Sequence, residues 1–263
     1  MIVLIKKMLS KNKIKYLHSL NTKKSRDVEG VFVAEGPKVV GDIFASHPSN
    51  LTLLVATSEW LNGDGKKVSA SANCEIVEVT TEELAKASFL CHPQQVLGVF
   101  KKLKTPVNTT MLTSKLTIAL DGVQDPGNLG TIIRIADWFG IENIICSRDT
   151  ADVYNPKVVQ ATMGSIARVN VAYMYLSELF NSLPANFPIY GTLLEGENLY
   201  EQELSDTGLI VMGNEGKGIS PAIRQLINRA LRIPNYPKGR ETADSLNVAI
   251  ATSIVCAEFR RRL

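Results

Sequence analysis

The chain has few of the residues that most often announce a site. Its 263 residues include four cysteines and three histidines. Cys74, Cys91, Cys146 and Cys256 lie far apart and form no C-x-x-C pair, and no histidine stands at a zinc-ligand spacing. We therefore expect no metal site, and buried free thiols in a reducing compartment. No apolar run approaches the roughly 20 residues of a membrane span. The opening MIVLI is too short for a signal-peptide core, and Lys6 and Lys7 follow it rather than precede it. A cytoplasmic protein is expected. Two nucleotide signatures are also missing. Gly213 and Gly216-Lys217 are too close for a Walker A loop, with Gly218 where Ser or Thr should follow, and G-x-G-x-x-G occurs nowhere. Nucleoside triphosphates and NAD are thereby disfavoured.

Net charge is small, at +3, but unevenly spread. From Lys6 to Arg26 there are eight basic residues and no acid: Lys6, Lys7, Lys11, Lys13, Lys15, Lys23, Lys24 and Arg26. Such a block suits phosphate contacts, and it equally suits a solvated helix face. Arg260, Arg261 and Arg262 are better read as the end of a helix, where cations complement the dipole.

Apolar strand-like runs alternate with helical patterns throughout, which indicates α/β architecture. Residues 1–102 read as a small α/β domain, the polar, Thr-rich 103–115 as a linker, and 116–263 as a larger domain built on a parallel sheet. Its last helix is expected over Ser245–Arg261, with Ser245 as N-cap. An apolar stripe is expected through Leu246, Ala249, Ile250, Ser253, Ile254 and Ala257.

Three segments follow strand-like runs, where open α/β sheets bind ligands. In Asp121-Gly-Val-Gln-Asp-Pro-Gly-Asn128, the residues make a turn into a helix that Asn128 could cap. Arg134 lies in the second turn among Ile132, Ile133 and Ile135, and requires a carboxylate or an anionic ligand. In Met212-Gly-Asn-Glu-Gly-Lys-Gly218, three glycines fit either a tight turn or a loop that grips a polar ligand through its backbone. In Ile233-Pro234 … Ser245-Leu-Asn247, capping explains Ser245 but explains Asn247 poorly.

Together, and in this order, these segments resemble the SpoU (TrmH-type) RNA ribose 2′-O-methyltransferases. The resemblance rests on N-x-G-x-x-x-R at Asn128 to Arg134, G-N-E-G at Gly213 to Gly216, and Ile-Pro followed by Ser-Leu-Asn-Val ending at Val248. It covers about Lys115 to the C-terminus. A second stretch resembles the L30e-like RNA substrate-binding domain that precedes the catalytic domain in this family. That stretch runs from Ser10 through Lys23-Lys24-Ser-Arg26 to Gly30-Val-Phe-Val-Ala-Glu-Gly36.

The resemblance implies a trefoil knot in the C-terminal domain, a homodimer with sites at the knotted interface, and S-adenosylmethionine as methyl donor. It implies that Asn128, Arg134, Glu215, Ser245 and Asn247 act in catalysis and RNA orientation. Gly213, Asn214, Gly216, Ile233 and Leu246 would hold the cofactor, with Thr192 and Leu193 closing over adenine. Lys11, Lys13, Lys15, Lys23, Lys24 and Arg26 would contact RNA. The appended N-terminal domain favours ribosomal RNA. The alternatives are a tRNA methyltransferase of the same family and a non-catalytic RNA-binding or ribosome-assembly protein that keeps the fold. One departure stands out: the stretch Asn235 to Asp244, with Lys238 and Arg240, is longer than the family's spacing.

Overall fold

The computed structural model describes residues 5–104, 108–237 and 243–262. Lys238 and Arg240 lie outside the described residues. The chain forms two compact units, one of residues 1–104 with 152–167, the other of residues 105–151 with 168–263.

The first unit contains β1 (Ile5–Lys7), α1 (Lys11–Ser19), α2 (Lys23–Glu29), β2 (Val31–Glu35), α3 (Pro37–Ser46), β3 (Leu51–Thr57), α4 (Ser58–Asn62), α5 (Lys66–Ser71), β4 (Glu75–Val79), α6 (Thr81–Ala85) and β5 (Val96–Lys101). Its mixed sheet runs β1-β4-β3-β5-β2, with β5 antiparallel to both neighbours. Leu17 and Leu20 pack with Val33, Val55, Val77 and Leu97 to form its core. Ser10 and Thr22 start α1 and α2 by accepting from Lys13 N–H and Ser25 N–H.

Contacts that join the later segment 152–167 to this unit include the following. Arg26 pairs with Asp152 at 2.6 Å. Phe32 and Tyr154 have ring centroids 4.9 Å apart. The His47 ring bonds the Ala167 carbonyl at 3.0 Å.

Arg26 corrects the sequence-based expectation. It is 1% exposed, and its guanidinium also donates to Leu20 O at 2.8 Å and Asn21 O at 2.7 Å. A guanidinium turned inward onto helix-end carbonyls and a carboxylate cannot take an RNA phosphate. Lys13 is partly engaged as well, at 2.7 Å from Glu75. Lys11, Lys15, Lys23 and Lys24 stay exposed on α1 and α2.

The second unit contains α7 (Thr109–Thr113), β6 (Leu116–Asp121), α8 (Pro126–Trp138), β7 (Asn143–Cys146), β8 (Asn170–Tyr173), α10 (Leu176–Asn181), β9 (Ile189–Asn198), β10 (Gly208–Gly213), α11 (Pro221–Arg224), β11 (Arg229–Arg232) and α12 (Val248–Arg261); α9 (Pro156–Ala161) belongs to the first unit. All six strands are parallel, in the order β11-β9-β10-β6-β7-β8. The near-continuous burial of β6 and β10 matches a sheet covered on both faces. The expected linker carries α7, whose Leu112 is buried in this unit's core.

The last helix starts later than expected, at Val248, and turns a largely different face inward, although Ala249 of the expected stripe is buried. Val248, Thr252, Val255, Cys256 and Phe259 are buried, whereas Leu246 and Ile250 are 51% and 54% exposed. The helix has two apolar faces, and the one against β10 and α8 wins. The Phe259 ring meets Tyr190 edge-on at 4.9 Å. At the helix end, Arg260 donates to Phe139 O at 2.7 Å, while Arg261 and Arg262 bind Glu258 at 2.8 and 2.7 Å. Arg262 also donates to Tyr200 O at 2.6 Å. Among the described residues, no helix is long and apolar enough to cross a membrane.

Two predictions follow from these ion pairs. Arg26→Ala is expected to cost about 3–5 kcal/mol, since it strands Asp152, while Lys24→Ala leaves urea unfolding nearly unchanged. Equal effects would return Arg26 to the surface. Hydrogen bonds from Arg261 and Arg262 pull the Glu258 carboxyl down to about 2. Its stabilisation is therefore complete above the ordinary glutamate value of about 4.3 and is lost as pH falls towards the lowered one. Across that window the thermal midpoint of Glu258→Gln should fall less steeply than that of the unaltered chain.

Candidate active site

Strand register decides which loops can meet. β10 pairs with β6 so that Gly213 lies beside Asp121, and both strands end on the same edge. The sheet order reverses at this pair, which is where open parallel sheets leave a crevice for ligands. Asp121 Oδ2 accepts from Ser220 N–H at 2.7 Å, tying the start of α11 to the end of β6.

The loop after β10 closes on itself. Asn214 and Gly218 exchange backbone hydrogen bonds of 3.0 and 2.9 Å. Asn214 Oδ1 accepts from Gly216 and Lys217 N–H at 3.0 Å each, and its Nδ2 donates to Gly122 O at 2.7 Å. The Asn214 side chain therefore builds the loop. Gly213 is required by close approach, because a Cβ there would lie 2.3 Å from Gly218 C and Ile219 N.

Asp125, rather than Asn128, caps α8 by accepting from Asn128 N–H at 2.8 Å. That leaves the Asn128 amide free to bridge. Its Nδ2 donates to Glu215 Oε1 at 2.9 Å, and its Oδ1 accepts from Asn247 Nδ2 at 2.9 Å. Asn247, rather than Ser245, caps α12, with Oδ1 accepting from Ala249 and Ile250 N–H at 2.9 and 3.2 Å. Serine or aspartate could do the capping alone. Only asparagine also supplies an N–H₂ donor to the Asn128 oxygen. Three loops far apart in sequence are thus tied side chain to side chain.

Beside this bridge lies a cleft of about 460 Å³, within the roughly 300–1,000 Å³ of small-molecule sites. Gly213, Asn214, Gly216, Ile233, Leu246, Thr192 and Leu193 all line it, as do Glu215 and Ser245. Asn128, Asn247 and Arg134 do not. Thr192 Oγ1 donates to Val211 O at 3.1 Å. Sequence reasoning missed the apolar floor of Met212, Ile219, Leu231 and Val248. The available signal was their position at the ends of apolar strands and at the start of α12.

Arg134 is exposed and makes no hydrogen bond or ion pair among the described residues. No carboxylate among the described residues holds it, so among them its cation is available to a ligand. The unit contains no histidine. Its two cysteines are buried, and burial pushes the Cys146 thiol up and that of Cys256 to about 12. Neither is a thiolate near neutral pH, so this unit has no cysteine nucleophile. Among the described residues, no cluster of acids, histidines and cysteines could hold a metal ion.

The double role of Asn247 makes a prediction. Asn247→Ala loses the cap and should cost roughly 0.5–2 kcal/mol, whereas Asn247→Asp keeps an oxygen for the cap and should cost less than half as much in urea unfolding. Equal losses would show that Oδ1 does not carry the cap.

Comparison with known proteins agrees with this geometry. The profile of the SpoU rRNA methylase family matches residues 115–257, and that of the MRM3-like substrate binding domain matches residues 11–98. The 23S rRNA (guanosine(2553)-2′-O)-methyltransferase RlmP of Bacillus subtilis is 29% identical over 257 residues, covering 94% of this chain and 96% of its own. A solved structure from Porphyromonas gingivalis, described as a candidate RNA methyltransferase of the TrmH family, is 40% identical with a TM-score of 0.83. That match covers 97% of this chain and all of the other. The AdoMet-bound rRNA methyltransferase of Sinorhizobium meliloti is 28% identical with a TM-score of 0.83, covering 98% of each chain. With its three motifs joined at one sheet edge and the family profile spanning more than half its length, the chain belongs to the SpoU rRNA methylase family and is a methyltransferase.

Proposed function

We propose that this protein methylates a ribose 2′-hydroxyl of ribosomal RNA, of the 23S type, using S-adenosylmethionine. The observation that carries the reading is the Glu215–Asn128–Asn247 bridge standing at the mouth of the cleft. The residues present fit that cofactor. Gly213 and Gly216 offer backbone without side-chain obstruction, Met212, Ile219 and Leu231 give an apolar floor for a flat ring, and the exposed Leu246 is placed to be covered by it. Thr192, Leu193 and Ile233 complete the lining, with Asn214 holding the loop. Bound there, the donor supplies a methyl group on a cationic sulfur: the ribose oxygen forms the new bond to carbon, sulfur keeps the electron pair, and the hydroxyl proton leaves.

The chain's own residues must orient that hydroxyl and manage its charge. Positioning supplies much of such a rate gain. A general base would add roughly 10²–10⁴-fold, but a guanidinium, which keeps its proton in proteins, is a poor one. Arg134 therefore binds the target phosphate and stabilises the developing alkoxide, while the proton passes to an RNA phosphate or to water. Asn128 and Glu215 hold the ribose side of the mouth, and Ser245 and Asn247 align the last loop. In the first unit, the exposed Lys11, Lys15, Lys23 and Lys24 contact RNA phosphates, with Lys13 contributing once released from Glu75. The chain acts as a cytoplasmic homodimer through its second unit. In support, α8 and α12 pack together and leave Trp138 at 84% and Ile250 at 54% exposure.

Transfer of labelled methyl to deproteinised rRNA and to tRNA tests the reading. Label should enter rRNA at a ribose, and Arg134→Ala should lower the rate about 10²–10³-fold, the usual loss for one electrostatic stabiliser. Arg134→Lys at near-full activity would show that a point charge suffices and that the planar guanidinium is not needed to bind the phosphate. Label in tRNA alone would move the substrate class.

A further inference from the structure

The ends of β7 and β8 carry a feature that the chemistry at the cleft does not use. Arg148, in the loop after β7, holds its guanidinium carbon 5.1 Å from the centre of the Tyr175 ring. Tyr175 stands immediately before α10 and is 58% exposed, and Arg148 is exposed too. A cation over a ring in water is a weak contact, so stability does not explain a tyrosine left at the surface. Neither residue belongs to the motifs shared with the family.

The residues that flank the pair are tied to the site. Asn214 Nδ2 donates to Gly122 O at 2.7 Å, Gly122 N–H donates to Ser147 Oγ at 2.8 Å, and Ser147 Oγ donates to Asp149 Oδ1 at 2.6 Å. Gly122 has φ +73°, and a Cβ there would lie 3.1 Å from Asp149 Oδ2. Ser147 N–H bonds Leu120 O at 2.9 Å, so both neighbours of Arg148 are fixed. Met174 N–H bonds Cys146 O at 3.0 Å, fixing the residue before Tyr175. A continuous chain of hydrogen bonds therefore runs from the Asn214–Gly218 loop to Ser147 and Asp149, the residues on either side of Arg148.

β10, β6, β7 and β8 are consecutive neighbours. At about 4.8 Å per strand, Arg148 lies roughly 10 Å and Tyr175 roughly 14 Å along the edge from that loop. A few nucleotides of an unpaired strand span that distance. We propose that Tyr175 and Arg148 form a stacking subsite for an unpaired nucleobase of the substrate RNA, a few nucleotides from the methylated ribose. The base stacks on the exposed part of the ring, and the guanidinium takes the adjoining phosphate. Bases splayed from single-stranded RNA stack on aromatic rings and arginine planes in this way. The subsite rests on the RNA-methyltransferase reading, and it predicts that the target sits in a loop or bulge rather than in a continuous duplex.

The test uses the full chain and a ten-nucleotide oligoadenylate carrying one 2-aminopurine, alongside methyl transfer to rRNA. Tyr175→Ala should weaken oligoadenylate binding about five- to a hundredfold and abolish the stacking quench of 2-aminopurine. Tyr175→Phe should preserve both. Arg148→Ala should lower the salt slope of binding by about 0.7, one single-strand phosphate contact. In methyl transfer, the two alanine variants should raise KM with little change in kcat and leave AdoMet affinity unchanged. Wild-type binding and quench in Tyr175→Ala, or no binding by the unaltered chain, overturns the subsite. If the unaltered chain binds and quenches through Tyr175 yet transfers no methyl to RNA, the subsite stands and the enzymatic reading fails.

Discussion

The structure's functional geometry depends on one strand pairing. Because β10 lies parallel to β6 with Gly213 opposite Asp121, two loops separated by some ninety residues of chain leave the sheet at the same height. A slip of one residue would turn every buried side chain of β10 to the other face, and would part the Asn214 amide from Gly122 O and Asp121 from Ser220 N–H. The Asn128–Glu215 bond would then have no basis. The Asn214–Gly122 bond is worth only about 0.5–1.5 kcal/mol, and the two to carboxylates about 1.5–3 kcal/mol each. They hold because the buried pairing beneath them fixes where their donors and acceptors lie.

Much of this was legible in the sequence. The alternation of strands and helices was, because apolar runs separated by polar, helical patterns have few other uses, and runs such as Glu75–Val79 and Asn143–Cys146 are strands. The three site segments were also recognisable in order. What was not legible was which polar residue does which job. Asp125 and Asn128 both suit an N-cap, as do Ser245 and Asn247. Local preference cannot choose between them, because the choice depends on a partner from another loop. Asn128 bridges because Glu215 and Asn247 stand across from it.

Arg26 and α12 show the same limit from the apolar side. A run of basic residues reads as uniformly solvated, yet helical rotation turns one of them inward, and Asp152, distant in sequence, receives it. In α12, two apolar faces compete, and only tertiary packing shows that Val255 and Phe259 rather than Ile250 are covered. A knot lies further out of reach, since the default for any chain is an unknotted path. Nothing in periodicity or composition encodes threading, so only the likeness to a family brings it to mind.

The edge of the second sheet also divides its labour by chemistry. On the β9 and β10 side, glycine-rich backbone and an apolar floor make a concave cleft, suited to a small flat ligand that must be enclosed. At its middle, the two asparagines and Glu215 present neutral donors and one carboxylate, suited to orienting a hydroxyl. On the β7 and β8 side, the exposed Arg148 and Tyr175 lie outside the lining of that cleft. An exposed cation and ring cannot enclose a ligand, but they can support one face of a base that already belongs to a longer polymer. That order, from an apolar cleft to an exposed cation and ring, is what a reaction between a small donor and a polymeric acceptor requires. The donor must be shielded on all sides, while the acceptor must enter from solvent and leave it on both ends.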